Sequence, residues 1–152
     1  MSKKLHFGWL LVLIWCVMSS GTVAAERGTA EEAKALVARA IEAYKAEGKA
    51  VFTKITAPSS EFRDRDLYVF VIGPDHKVVA HGLDAKRVGR DVTNFVDADG
   101  KAYGKEFIAK ASESGTWVDY KFRDPLTDKV LRKSSWIVLH DGYIFGSGIY
   151  RK

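Results

Sequence analysis

The sequence predicts an α+β domain in which a long N-terminal helix packs on a five-stranded antiparallel sheet, with a helix-containing crossover between its second and third strands. Three observations carry that expectation. Ala33, Leu36, Val37, Ala40, Ile41 and Tyr44 recur at i, i+3/i+4 spacing and form a single apolar stripe. From Leu67 onward the apolar period shortens to that of β-strands. Asp141-Gly142, set between two strand-like runs, is the strongest hairpin signal in the chain.

The elements follow in order. Thr29 and Glu32 make a capping box at the start of the first helix, and Gly48 supplies its stop. A shorter helical piece is expected over 50–55, ended by Pro58. LYVFVI (67–72) reads as one strand, turned by Gly73-Pro74-Asp75-His76 into KVVAH (77–81). The crossover carries Gly82, Gly89 and an Asp97-Ala98-Asp99-Gly100 turn, then a helix over 101–112 that buries Phe107, Ile108 and Ala111. Three strands complete the chain: TWVDYKF (116–122), KVLRKSSWIVLH (129–140) and YIFGSGIY (143–150), with Asp124-Pro125 opening the turn between the first two.

Residues 1–25 have the three parts of a secretory signal peptide. Lys3 and Lys4 are the positive region, Phe7 to Met18 the apolar region, and SSGTVAA the small-residue tail, with Val23 and Ala25 placed for cleavage after Ala25. The apolar run is short beside the roughly 20 residues needed to cross a bilayer. The alternative is an uncleaved anchor over 7–18. Cys16 follows bulky Trp15 inside the apolar run, which argues against lipidation. One ligand-binding domain, 26–152, is then expected in the periplasm, with no cysteine for a disulfide, a thiol nucleophile or a metal site.

Charge and motif exclude several functions. The chain's +5 falls to +3 without Lys3 and Lys4, and its basic residues interleave with acids (Arg63, Asp64, Arg65, Asp66; Arg87, Arg90, Asp91) as on a solvated surface. No nucleic-acid partner is expected. Asp97-x-Asp99-Gly100 resembles part of a calcium loop, and Glu106 falls at the bidentate position, but Phe95 occupies the first-ligand position. The segment reads as a helix-capping turn. Gly146-Ser147-Gly148 lacks the flanking glycines of a nucleophile elbow. Lys133 and Ser134 are adjacent on a strand, so they point to opposite faces and form no dyad. The expectation is a non-enzyme with no cofactor and no metal.

The run YVFV, KVVAHG (77–82), VGRDV (88–92), DADGK (97–101), GTWVDYKFRDP (115–125), KSSWIV (133–138) and GSGIY (146–150) resembles the single Cache domains of extracellular bacterial sensors, across residues 29–150. The resemblance implies a PAS-like sheet whose open face and overlying loops bind a small metabolite, often a short carboxylate. It also implies a sensor that reports to a membrane receptor or kinase module, as in chemotaxis. Such domains normally lead into a transmembrane helix, so a chain ending at Lys152 would signal through a separate partner.

Strand alternation nominates the pocket residues. Tyr68, Phe70 and Ile72 share one face, as do Val79 and His81 on the neighbouring strand. Lys133 shares a face with Leu131, Ser135 and Ile137, where a buried ammonium needs a counter-charge. A bound carboxylate would supply it; an internal acid such as Asp119 is the alternative. His81 and the hydroxyls of Tyr68, Tyr120 and Tyr150 are candidate donors, with Phe70 as a wall. Trp117 joins that wall only if a bulge intervenes, because its spacing from Tyr120 is odd. The expected function is carboxylate sensing by an exported single Cache domain; the alternative is a ligand-free accessory subunit of a cell-envelope complex.

Overall fold

A computed structural model describes residues 26–151; the expected signal peptide lies outside the described residues. Helix α1 spans Ala30–Glu47, and its capping box forms as expected: Glu32 N–H donates to Thr29 Oγ1 at 3.2 Å, and Thr29 N–H to Glu32 Oε2 at 2.8 Å. Its predicted apolar stripe is its buried face. Gly48 ends it at a φ of 63°, a backbone region that only glycine enters freely. Helix α2 (Ala50–Thr56) follows, burying Val51 and Ile55.

Strand β1 (Arg63–Asp64) pairs with β2 (Leu67–Tyr68) in a small ribbon. The main sheet comprises β3 (Phe70–Ile72), β4 (Val78–His81), β5 (Thr116–Arg123), β6 (Val130–His140) and β7 (Tyr143–Arg151). Its order is β4-β3-β7-β6-β5, with every neighbouring pair antiparallel. Two 3-10 turns, Ala85–Arg87 and Val92–Asn94, and helix α3 (Tyr103–Lys110) form the crossover from β4 to β5. The Asp141-Gly142 hairpin takes positive φ at both residues, 50° and 77°, as a type I′ turn requires.

Alternation divides the sheet into two faces. Leu67, Val69, Val71, Tyr143 and Phe145 pack under α1 and α2. Phe70, Ile72, Val118, Tyr120, Ile137 and Ile144 pack under α3 and the crossover.

Three local expectations are corrected. The 67–72 strand is broken at Val69, where the chain leaves β1 and joins the main sheet; Val69 N–H donates to the Phe62 carbonyl at 3.0 Å. A bulge opposite Val71 and Ile72 pairs Phe70 with His81 but Ile72 with Val78. Val79 therefore turns towards α1 and α2, and Val78 shares the face of His81. Helix α3 starts two residues later than expected, and the Asp97 carboxylate binds the turn's own Asp99 and Lys101 N–H groups rather than capping the helix, whose N-cap Ala102 has no side-chain cap.

Phe145 is fully buried, its ring centroid 5.6 Å from that of Tyr44 on α1 and 6.4 Å from that of Phe52 on α2. Phe145→Ala is expected to lower unfolding free energy by about 3–5 kcal/mol in a denaturant titration.

Candidate functional site

The face beneath α3 begins with missing side chains. Gly146, Gly148 and Tyr150 of β7 point to it, while Ser147 points to the other face. A Cβ at Gly146 would lie 2.3 Å from Phe70 Cζ, and one at Gly148 would lie 2.7 Å from Lys133 Cε and 2.3 Å from Ser135 Oγ. Gly146-Ser147-Gly148 thus clears β7 so that the Phe70 ring and the Lys133 stem can lie across it.

Lys133 is buried, 1 % exposed. Its Nζ donates to Tyr68 Oη at 2.6 Å and Tyr150 Oη at 3.2 Å. It lies 3.9 Å from the Tyr68 ring centroid, 4.6 Å from that of Tyr150 and 5.2 Å from that of Phe122. Tyr150 Oη in turn donates to the Arg123 carbonyl at 2.8 Å. Ring faces and hydroxyl oxygens solvate the ammonium, and among the described residues no carboxylate touches it. Burial pushes its pKa well below the usual lysine value, and the fields of Asp66 and Asp124 act against that shift. Asp119, the alternative partner, faces the other side and hydrogen-bonds Ser134.

In front of this group lies a cavity of about 30 Å³. Tyr68, Phe70, His81 and Tyr120 line it, as expected, joined by Arg87, Tyr103, Phe107 and Phe122. His81 Nδ1 accepts the backbone N–H groups of Leu83 (3.3 Å) and Asp84 (3.0 Å), which leaves the ring proton on Nε2. Burial, with Arg87 and Lys133 adding repulsion, lowers the His81 pKa to about 3, so the ring is a neutral donor at ordinary pH. Tyr103 stacks on Tyr120 at 4.3 Å, and the Tyr120 hydroxyl lies 2.9 Å from Ser135 Oγ.

Arg87 stands at the mouth. Its guanidinium carbon is 4.6 Å from the Phe122 ring centroid and 5.7 Å from that of Phe95. Outside it runs an open groove of about 660 Å³, and His81, Arg87, Phe95, Tyr103 and Phe122 line both spaces. Among the described residues, Arg87 is the charged side chain of the cavity lining and no carboxylate lines that cavity. An aromatic chamber with neutral donors, one guanidinium and a buried ammonium behind it suits a small anion.

The structure brings six of the seven nominated residues together. Tyr68, Phe70, His81 and Tyr120 line the cavity, and Lys133 and Tyr150 sit directly behind Tyr68. Trp117 is corrected: no bulge interrupts β5, and its ring packs against Trp136 at 5.4 Å on the α1 face. Arg87 was missed because the charges around it read as solvated surface. Tyr103 was missed because it opens a helix whose start was placed too early. The surface reading of Asp66 is also corrected, since that carboxylate is fully buried and paired with Arg27. Asp97 pins the crossover: its Oδ1 accepts N–H groups of Asp99 and Lys101 at 2.9 Å each, and its Oδ2 that of Lys121 at 2.9 Å.

The sheet order and the covering helix, with an aromatic chamber under a helical crossover, define a PAS-like α+β fold. The chain belongs to the single Cache domain family: the model described as Single Cache domain 2 matches residues 16–143. Cache domains are extracellular or periplasmic sensor domains that bind small molecules and relay to kinases or chemoreceptors. The sensor histidine kinase MctS of Rhizobium johnstonii is 31% identical over 88 residues, covering 57% of this chain and 19% of the kinase, so the chain spans about a fifth of that relative. In fold, the chain resembles a methyl-accepting chemotaxis protein from Vibrio parahaemolyticus (TM-score 0.62, 16% identity, 79% of this chain and 86% of that one). It also resembles a Cache chemosensory domain solved for its carboxylic acid recognition (TM-score 0.55, 22% identity, 78% and 81%). Among the described residues no helix is long and apolar enough to cross a membrane.

His81 sets a pH dependence. Its folded pKa of about 3 lies below the ordinary value of 6.5, so on acidification the unfolded chain takes a proton that the folded chain refuses. The stabilisation is complete above pH 6.5 and declines as pH falls towards 3. Between pH 6.5 and pH 5 the loss is about 2 kcal/mol, at about 1.4 kcal/mol per unit. Denaturant titrations at pH 7 and pH 5 are expected to show a larger drop for the wild type than for His81→Asn, by about that amount.

Proposed function

We propose that this chain is an exported sensor domain that binds a short carboxylate in the chamber beneath α3 and passes its occupancy to a membrane receptor or kinase. The observation that carries the reading is the charge of the chamber: among the described residues, one guanidinium, neutral donors and no lining acid. The carboxylate would take hydrogen bonds from His81 Nε2, Arg87 and the tyrosine hydroxyls, with the Lys133 ammonium one hydroxyl behind. The carboxylic acid recognition of the similar chemosensory domain supports the same ligand class. A volume of about 30 Å³ suits one water, so the mouth must open for an acid to enter. None of the three residues of the turn carrying Arg87 is buried, which makes it the wall that moves most easily.

A second reading is a ligand-free interaction module of an envelope complex, which the small chamber volume favours. A melting panel of acetate, propionate and pyruvate separates the two. On the sensor reading, one acid at a hundredfold excess over its Kd adds about 2.7 kcal/mol and raises Tm by several degrees. Arg87→Gln and Lys133→Ala each remove most of that rise. A panel in which no acid moves Tm sinks the sensor reading in favour of the interaction module.

Export is proposed from residues 1–25 as a cleavable signal peptide. Intact mass of the protein recovered from the periplasm should correspond to a chain beginning at Glu26. A chain retaining Met1 would instead assign 7–18 as an anchor.

A further inference from the structure

Two aspartates lie fully buried beside the chamber, Asp66 in the β1–β2 turn and Asp124 at the start of the β5–β6 turn. One side chain pairs with both. Arg27 Nη1 donates to Asp66 Oδ2 at 3.1 Å and to Asp124 Oδ1 at 3.1 Å, and its Nη2 donates to Asp124 Oδ2 at 2.7 Å. Arg27 belongs to no helix or strand; it lies in the short arm before the Thr29 cap of α1. The arm is seated closely. Gly28 N–H donates to Asp66 Oδ1 at 2.7 Å, and a Cβ at Gly28 would come within 2.2 Å of Leu67 Cγ. Arg65 donates to the Arg27 carbonyl at 3.1 Å and pairs with Glu32 of α1 at 2.7 Å.

The arm connects to the chamber through Asp124 and its neighbour. The Asp124 carboxylate also accepts Thr127 Oγ1 at 2.5 Å and the Leu126 N–H at 3.2 Å, which fixes the turn after β5. The preceding carbonyl, that of Arg123, receives the Tyr150 hydroxyl, and Tyr150 and Tyr68 hold Lys133. Lys133 is surrounded by the Tyr68 and Tyr150 hydroxyls, the Phe122 ring and neutral His81, and it feels the fields of Arg87, Asp66 and Asp124, of which Arg87 and Asp124 both line the outer groove. With Arg27 seated, the two buried acids are matched by the guanidinium and the ammonium. Without it, two acids face Lys133 and Arg87, and the net positive charge offered to an incoming carboxylate is lost.

We propose that Arg27 is a positioning residue of the ligand site: by neutralising buried Asp66 and Asp124, it keeps the charge of Lys133 and Arg87 available to an anionic ligand. Acid binding then requires the arm before α1 to be docked. This rests on the chamber being an acid site. Cleavage after Ala25 would leave Arg27 as the second residue of the mature chain, so trimming by two residues would disarm the pocket.

The test uses the mature chain with Arg27→Gln, Arg27→Lys and the double variant Arg27→Gln/Asp66→Asn. Acetate and propionate affinities are measured by calorimetry, and the Lys133 side-chain titration by NMR of labelled lysine. Arg27→Gln is expected to weaken acid binding about tenfold and to raise the Lys133 titration. Arg27→Lys keeps the cation, and the double variant restores the charge balance by deleting one acid, so both should recover most of the affinity. The double variant also relieves a purely structural fault, the unpaired buried acid, so the Lys133 titration is the readout that separates the two roles. A folded Arg27→Gln that binds acids like the wild type overturns the proposal, as does a folded double variant no tighter than the single one. A wild type that binds neither acid overturns the pocket reading and the binding claim with it. In that case a Lys133 titration that rises in Arg27→Gln and returns in the double variant still upholds the charge role of Arg27, and an unmoved titration removes that too.

Discussion

A buried lysine with no touching carboxylate among the described residues is the constraint around which one whole face of the sheet is arranged. Desolvation of such a group is expensive, and only ring faces, hydroxyl oxygens and a distant field offset it here. Each offset fixes another feature. Tyr68 and Tyr150 must point inward, so β2 and the end of β7 must converge on Lys133 near the start of β6. Gly148 must lack a side chain for the lysine stem to pass. Asp66 and Asp124 must be buried near enough to be felt, yet held by Arg27 rather than by Lys133.

The two faces of the sheet therefore have different energetics. The α1 face is a conventional aromatic and aliphatic core, in which Tyr44, Phe52, Tyr143 and Phe145 pack as one cluster. Burial of apolar area stabilises it, and nothing on it needs charge balance. The opposite face gives up some packing for a chamber and several buried polar groups. The first face holds the fold, and that allows the second to keep an open chamber.

The elements with regular periods were legible in the sequence. The stripe of α1, its capping box, and the three strands after Gly115 stand where their 3.6- and 2-residue periods place them. Alternation also places Lys133 and Tyr150 on one face, as the structure has them, since parity along β6 and β7 decides which face a residue meets. What escaped depends on departures from regularity. The bulge beside Ile72 exchanges Val78 for Val79, and no local signal in VVAH marks it. Arg87 lies on a 3-10 turn, where no period applies, so its seat between two rings is set by the tertiary path of the crossover. Asp66 looked like one charge in an alternating surface run, because its partner Arg27 lies 39 residues away. Long-range pairing of this kind has no sequence period.

On the sensor reading, the chamber's size and the stiffness of its walls together fix where a ligand must act. Phe70 and Tyr120 are carried by strands laddered on both sides or packed under α3, and displacing them would break the second core. Arg87 is held by a 3.7 Å approach to Asp84 and by two ring faces, on a turn with no buried residue, followed by Val88 at 42% exposure. An exposed pair of that length adds little stability. A carboxylate that replaced Asp84 as the partner of Arg87 would exchange a weak surface contact for a charge-assisted bond in a dry, aromatic site. The gain falls on the loop rather than the sheet, so on the sensor reading the element that reports occupancy is the one the fold holds least tightly.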